Sequence, residues 1–400
     1  MKSIKISFFA FAILVSFFTL IATSSAHSKS ERHPKHKPNP HVILPKPIAP
    51  PKIQLAILLD TSGSMDGLID QTRNQLWQVV NEFSTAKRNG ITPTLEVALF
   101  EYGNDGNSRD TGFVRMLNNF TRELDKVSEG LFSLTTNGGS EYCGFAIKTA
   151  VHSLNWSHSD RDIKSIFIAG NEPFTQGPVN YKEALRLASR HGIVVNTIHA
   201  GDHQVGIETG WQSGALVAGG DYMSIDANRK AVHILAPQDK RIAELNLELN
   251  KTYVPYGKQG RAKAERQREQ DLQSEKISPS LLAKRAQSKS SSYYNNSKWD
   301  LVDAMNDGEV KEAELESMSE EVLPAPMKAM SVEERKNYVS EKAKARKEIK
   351  RKIKQLSDSR DKFVAEKKLE QVSQAPDMSE ALTQAIKKQA EKKNYQFDKK

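Results

Sequence analysis

Ile57-Leu58-Leu59-Asp60-Thr61-Ser62-Gly63-Ser64-Met65 runs from an apolar strand straight into an acidic, hydroxyl-rich bend. The run from Ile53 to Leu59 is almost continuously apolar, as expected of a strand covered on both faces. Asp60, Ser62 and Ser64 then follow at spacings of two, at the carboxyl end of that strand, where open parallel sheets gather their ligands. Alternate oxygens turned inward by a loop suit a hard cation, since magnesium takes about six oxygens at about 2.0–2.1 Å. Gly63 lets the backbone turn between the two serines. A rival reading stays open, because aspartate, threonine and serine are also the residues that cap helices.

Outward from this bend, residues 53–236 alternate strand and helix signals, which predicts an α/β domain with a mostly parallel, doubly wound, Rossmann-like sheet. Ile69, Thr72, Leu76, Val79 and Phe83 form one helical stripe directly after the bend. Leu95–Phe100, Phe113–Leu117, Ser165–Ala169, Ile193–His199 and Asp221–Ile225 read as strands. Ala146–Leu154, Lys182–Arg190 and Gly214–Val217 read as helices between them.

With Asp60-x-Ser62-x-Ser64 in this setting, the chain resembles the von Willebrand factor A family, whose metal-ion-dependent adhesion site has that pattern. The resemblance covers residues 53–236 and implies a site in which both serines bind a divalent metal directly and the aspartate binds directly or through water. It implies magnesium first, with manganese or calcium as alternatives, and a partner protein that completes the shell with an acidic residue. The family's second loop carries a threonine after paired glycines, and here Gly138-Gly139-Ser140 stands in that place. The third element is an aspartate ending the central strand. Here Ala169-Gly170-Asn171-Glu172-Pro173 puts Gly170 there, so Glu172 or Glu141 is the carboxylate left to substitute, unless both are surface loop residues. The longer wording around Cys143 and Phe174 looks like a bacterial, secreted subgroup, as does Trp299-Asp300-Leu301-Val302-Asp303-Ala304 in the tail.

Enzymatic readings of the same residues fare poorly. An aspartate-based phosphotransferase wants a second aspartate two residues on as acid–base, and Ser62 stands there. Neither serine has the Gly-x-Ser-x-Gly frame of a hydrolase elbow, and no phosphate-binding Gly-x-x-x-x-Gly-Lys-Ser/Thr loop is present. His199, Asp202 and His203 sit near a strand's carboxyl end as either a second ligand cluster or an ordinary polar loop. The chain is therefore expected to bind and not to catalyse.

The flanks complete the organisation. Lys2 and Lys5 precede an apolar run from Ile6 to about Thr23, with Ser24-Ser25-Ala26 after it, the pattern of an export signal over 1–26 or of an uncleaved anchor. Export to the periplasm or beyond follows from either. Residues 27–52, rich in proline, lysine and histidine, read as a semi-rigid tether. Residues 237–297 are charged and then serine-rich, which predicts a flexible linker with some helix. Residues 298–400 predict a basic helical region, with Leu301–Met305, Val310–Val322 and a long helix from Ser331 to about Ser373, opened by the capping box Ser331-Val332-Glu333-Glu334.

In that long helix Ile349, Ile353, Leu356 and Phe363 fit a short coiled-coil seam that Arg360 interrupts, leaving self-association or packing within the chain as readings. Eight cations against two glutamates over 341–354, on a chain of net charge +9, favour an anionic envelope surface or an acidic protein, and export argues against nucleic acid. A metal-free scaffold whose tail makes the contacts is the alternative to the metal-dependent binding module. Cys143 is the only cysteine, so it is either buried as a small hydrophobe or paired between chains.

Overall fold

The structure is a computed structural model that describes residues 49–226, 233–370 and 378–397. The export signal over 1–26, all but the end of the tether, and the expected end of the long helix near Ser373 lie outside the described residues.

In chain order the elements begin β1 (Lys52–Asp60), α1 (Asp66–Phe83), β2 (Ala86–Arg88), β3 (Thr94–Tyr102), β4 (Arg115–Thr121), α2 (Leu124–Phe132), α3 (Cys143–Ser153), β5 (Ile163–Gly170), α4 (Tyr181–Arg190), β6 (Val194–Ala200), α5 (His203–Glu208), α6 (Trp211–Val217) and β7 (Gly219–Ile225). There follow α7 (Asp239–Asn250), α8 (Gly260–Ile277), α9 (Pro279–Ser290), α10 (Leu301–Asn306), α11 (Glu312–Ser317), α12 (Val332–Glu370), α13 (Met378–Glu391) and β8 (Tyr395–Phe397).

Six strands make one sheet in the order β4-β3-β1-β5-β6-β7, parallel throughout except for β4 at the edge. Side chains alternate across a strand, so Leu55 and Leu59 of β1 pack under α1 and α2. Ala56 and Leu58 pack on the opposite face with α3, α4 and α6. Both faces are covered, which is why β1 carries so few polar residues. The chain leaves β1 toward β3 on one side and returns to β5 on the other. The carboxyl end of β1 is therefore the switch point where neighbouring loops diverge and leave a crevice.

The reading of residues 237–297 as a flexible linker is overturned. Their polar residues are buried in pairs, which composition alone cannot reveal. Arg285, fully buried on α9, reaches Asp125 of α2 at 2.7 Å and Asp271 of α8 at 2.6 Å, and lies 4.7 Å above the Trp77 ring. Lys289 also binds Asp271, at 2.9 Å. Ser288 donates to Asn81 of α1, and Ser278 caps α9 through Leu281 N–H.

The self-association reading of α12 is corrected in the same way. Ile353 is buried in the chain's own core, with Ile349 and Leu356 packed against it. Arg360 does not interrupt that packing. It is buried and holds Asp239 of α7 at 2.6 Å and Ser280 of α9 at 2.7 Å. The capping box forms, with Ser331 N–H donating to Glu334 at 2.7 Å. The segment 310–322 is helical only from Glu312 to Ser317.

The tail also finishes the domain it follows. Leu382 and Ile386 of α13 are buried beside α1 on the sheet face, and β8 pairs with β2.

Candidate metal centre

Parallel register aligns Asp60 with Tyr102 and Leu59 with Ala169, so the ends of β1, β3 and β5 form one rim. The bend after Asp60 is stitched into that rim by backbone bonds. Thr61 N–H donates to Tyr102 O, Gly63 N–H to Gly138 O and Asn137 N–H to Thr61 O, each at 2.9 Å. Gly138 is held at φ +83°, where L side chains are disfavoured, and a Cβ there would strike Asp105. Thr61 points away from the rim toward Glu101, whose carboxylate is already engaged by Arg115 at 2.5 Å and Asn107 at 3.0 Å.

The bend does not cap the helix behind it. The residue before α1 is Met65, without any side-chain capping bond. Asp60 Oδ1 accepts from Ser62 N–H at 2.8 Å. Asp60 Oδ2 and Ser62 Oγ are buried and have no hydrogen-bond partner. Buried polar atoms are nearly always satisfied, so two orphaned oxygens side by side are of the kind that would hold a cation. Ser64 is exposed on the rim, and its hydroxyl accepts from Asn171 Nδ2 at 3.1 Å. Ser140 is half-buried and bridges Gly103. It opens onto a groove of about 440 Å³ lined also by Arg109, Tyr142 and Gln176.

Of the two carboxylates left to substitute at Gly170, the structure brings Glu141 to Asp60. Glu141 is 2% exposed. Its N–H donates to Gln176 Oε1 at 2.6 Å, and its Oε2 accepts from Glu172 N–H at 3.3 Å. Glu172 contributes through its backbone: its carbonyl also accepts from Trp211 Nε1 at 2.9 Å. Burial, and then the neighbouring Glu141 carboxyl, push Asp60 well above the ordinary carboxylate range, and burial pushes Glu141 up as well.

Gly170 has a specific neighbour. A Cβ there would run into the Tyr102 hydroxyl and come within 3.1 Å of Asp60 Oδ2. Tyr102 is fully buried, donates to Ala169 O at 3.0 Å and faces the Cys143 thiol at 3.7 Å. Burial raises that thiol far above its usual range, and Cys143 is a small buried hydrophobe, not a bridge between chains.

His199, Asp202 and His203 do not form a second ligand cluster. His199 is buried with Nδ1 3.0 Å from Asp202 O and Nε2 3.2 Å from Asn171 O. The Asp202 carboxylate caps α5 through Val205 N–H at 3.0 Å. Among the described residues no group of three or more His, Cys, Asp or Glu side chains is disposed to hold a metal. A site built chiefly from hydroxyls and one or two carboxylates is of a different kind.

Sequence reasoning missed Tyr102, Gly103 and Asn171, which reach the site through strand register and loop closure. No local pattern marks Tyr102 or Gly103, whereas Asn171 directly follows Gly170 in the third element of the site.

The fold is a doubly wound, mostly parallel sheet that carries Asp60-x-Ser62-x-Ser64 at its switch point. Residues 54–206 match one family in particular and are a von Willebrand factor type A domain. Among solved structures the chain is similar to the conserved hypothetical protein BatB from Bacteroides thetaiotaomicron, at 15% identity over 44% of this chain and 90% of that one, with a TM-score of 0.34. It is similar to the SpRpn10 VWA domain at 16% identity over 44% and 88%, with a TM-score of 0.31. It is also similar to proximal thread matrix protein 1 from the mussel byssus with a zinc-occupied MIDAS motif, at 11% identity over 45% and 43%, with a TM-score of 0.34. A comparison with curated proteins finds no match.

Proposed function

We propose that this is an exported, non-catalytic protein that binds another protein through a divalent cation, magnesium first, held by Asp60, Ser62, Ser64 and Ser140. One observation carries the reading: Asp60 Oδ2 and Ser62 Oγ are buried without partners at the sheet's switch point, in a bend that caps nothing. A bound ion would supply a Lewis-acidic centre for an acidic side chain of the partner. The chain's own residues do the rest. Backbone bonds from Gly63 and Asn137 fix the bend, Asn171 orients the Ser64 hydroxyl, and the groove beside Ser140 leaves the rim open to a partner. Export rests on the amino-terminal pattern of basic, apolar and small residues. Among the described residues no helix is long and apolar enough to cross a membrane.

Calorimetric titration of the purified chain with magnesium and manganese tests this. One ion per chain is expected, with binding abolished in Asp60→Ala while the circular dichroism spectrum is kept. An intact chain that takes up neither ion would end the reading.

One observation favours a second contact surface. Lys344, Lys347, Arg351 and Lys354 are exposed at helical spacing on α12, whereas Arg346 of the same run is buried against Asp300 and Asp303. This face suits an anionic envelope surface. Retention on vesicles rich in phosphatidylglycerol, lost when all four become glutamate, is its test. Equal retention of the variant would dismiss it.

A further inference from the structure

We propose that Glu141 is the second carboxylate of the cation site, standing in for an acidic side chain that residue 170 has no room to carry. The proposal rests on the cation-binding reading above and adds to it the identity of a ligand.

Three observations carry it. First, the two carboxylates converge. Asp60 Oδ1 and Glu141 Cγ lie 2.7 and 2.9 Å from the point where a Gly103 Cβ would stand. Gly103, at φ +81°, leaves that space to them. Ser62 Oγ lies beside both groups without hydrogen-bond geometry to either.

Second, the pair lacks a cation where, among the described residues, the other buried carboxylates have one, except Asp162, whose two oxygens accept from Lys52 N–H and the Ser157 hydroxyl instead. Asp125 and Asp271 meet Arg285, Asp239 meets Arg360, Asp300 meets Arg346, and Glu101 meets Arg115. Asp60 and Glu141 are 0% and 2% exposed, and among the described residues neither has an ion-pair partner. Burying an unpaired carboxylate costs far more than burying a paired one. Two together call for a positive charge, and a divalent ion between them supplies it.

Third, Glu141 is aimed. Gln176 anchors its N–H, and Glu172 N–H occupies Oε2, so the carboxylate is braced at the rim. Glu172 uses its backbone for this, and among the described residues its own carboxylate has no hydrogen-bond or ion-pair partner. It is the natural control.

The test is titration of the full chain with manganese alone, and separately with magnesium alone, for wild type, Glu141→Gln, Glu141→Asp and Glu172→Gln. Loss of a ligand should weaken affinity by more than about tenfold, since even outer partners of metal ligands are worth roughly 10–100-fold. Glu141→Gln is expected to lose at least that much, and Glu141→Asp, one methylene shorter, to fall between it and wild type. Glu172→Gln is expected to stay within about twofold of wild type. Unfolding in chelator accompanies each titration, and Glu141→Gln should be no less stable than wild type, which separates ligand loss from misfolding. Wild-type binding left unchanged by Glu141→Gln overturns the assignment, as does loss in Glu172→Gln instead. A wild type that takes up no ion overturns the underlying reading and the assignment together.

Discussion

Tyr102 fills the space that a side chain at Gly170 would need. Its hydroxyl is fixed by Ala169 O at 3.0 Å, inside a core with Phe100 and Ile168. The two positions are therefore coupled across the end of β1, which lies between β3 and β5. Gly170→Ala is expected to destabilise the protein by about 1–3 kcal/mol through overpacking. Tyr102→Phe costs about 1 kcal/mol for the lost hydrogen bond. Together they should cost less than their sum, because removing the hydroxyl makes room for the methyl. Urea unfolding of the two singles and the double, in chelator, checks this. Strict additivity would deny the contact.

Asp60 is expected to be better for binding than for stability. Its carboxylate is buried beside Glu141 with Oδ2 unpaired. Asp60→Asn should stabilise the ion-free protein by about 1–3 kcal/mol, the scale of an unsatisfied buried polar group, while abolishing ion uptake. Functional sites commonly carry such a cost. A destabilised Asp60→Asn protein in chelator would contradict the account.

The same pair sets a pH dependence whose sign can be worked out. A carboxylate whose folded pKa is raised holds its proton longer in the folded state. Its contribution to stability is fully present below the ordinary carboxylate range and is lost as pH rises through the raised folded value. Asp60 and Glu141 are raised, by burial first. Asp271 is the opposite case: although burial raises it, Lys289 and Arg285 outweigh that and hold it below its usual range. Its contribution is present above that range and is lost as pH falls. Ion-free stability should therefore decline with rising pH by an amount that Asp60→Asn removes and saturating magnesium suppresses. Unfolding profiles between pH 4 and pH 8, with chelator and with magnesium, decide it, the window spanning roughly the unperturbed Asp and Glu values upward.

Residues 378–397 are expected to be indispensable to the domain far upstream. Leu382, Ala385, Ile386 and Ala390 are buried, and Tyr395 donates to Arg161 O at 3.0 Å. Deleting everything after Glu370 should cost on the order of 5 kcal/mol, at about 1.5–3 kcal/mol per large apolar side chain uncovered. Thermal unfolding of the truncated chain measures this, and an unchanged midpoint would show that the tail is dispensable.

What the sequence made legible, and what it hid, follows from the kind of signal each part carries. β1 and the bend after it announce themselves, because a strand covered on both faces is nearly all apolar and a cation loop is dense in oxygen. The helices α8 and α9 were hidden. Their mean polarity is that of a linker, and only the pairing of Arg285 and Lys289 with Asp125 and Asp271 makes burial tolerable. Arg360 misled for the same reason, as a charge on an apolar seam that finds Asp239 across the interface. The sequence favours Glu172 over Glu141 as the substitute carboxylate, and it is loop closure against Gln176 that brings Glu141 to Asp60 instead.

The most direct measurement is a crystal structure grown in millimolar manganese, with an anomalous difference map. The account requires one peak at the rim, within coordinating distance of Ser62 Oγ, Asp60 and Glu141. A well-ordered bend with no peak, or with Ser62 Oγ and Asp60 Oδ2 turned to protein partners, would contradict it.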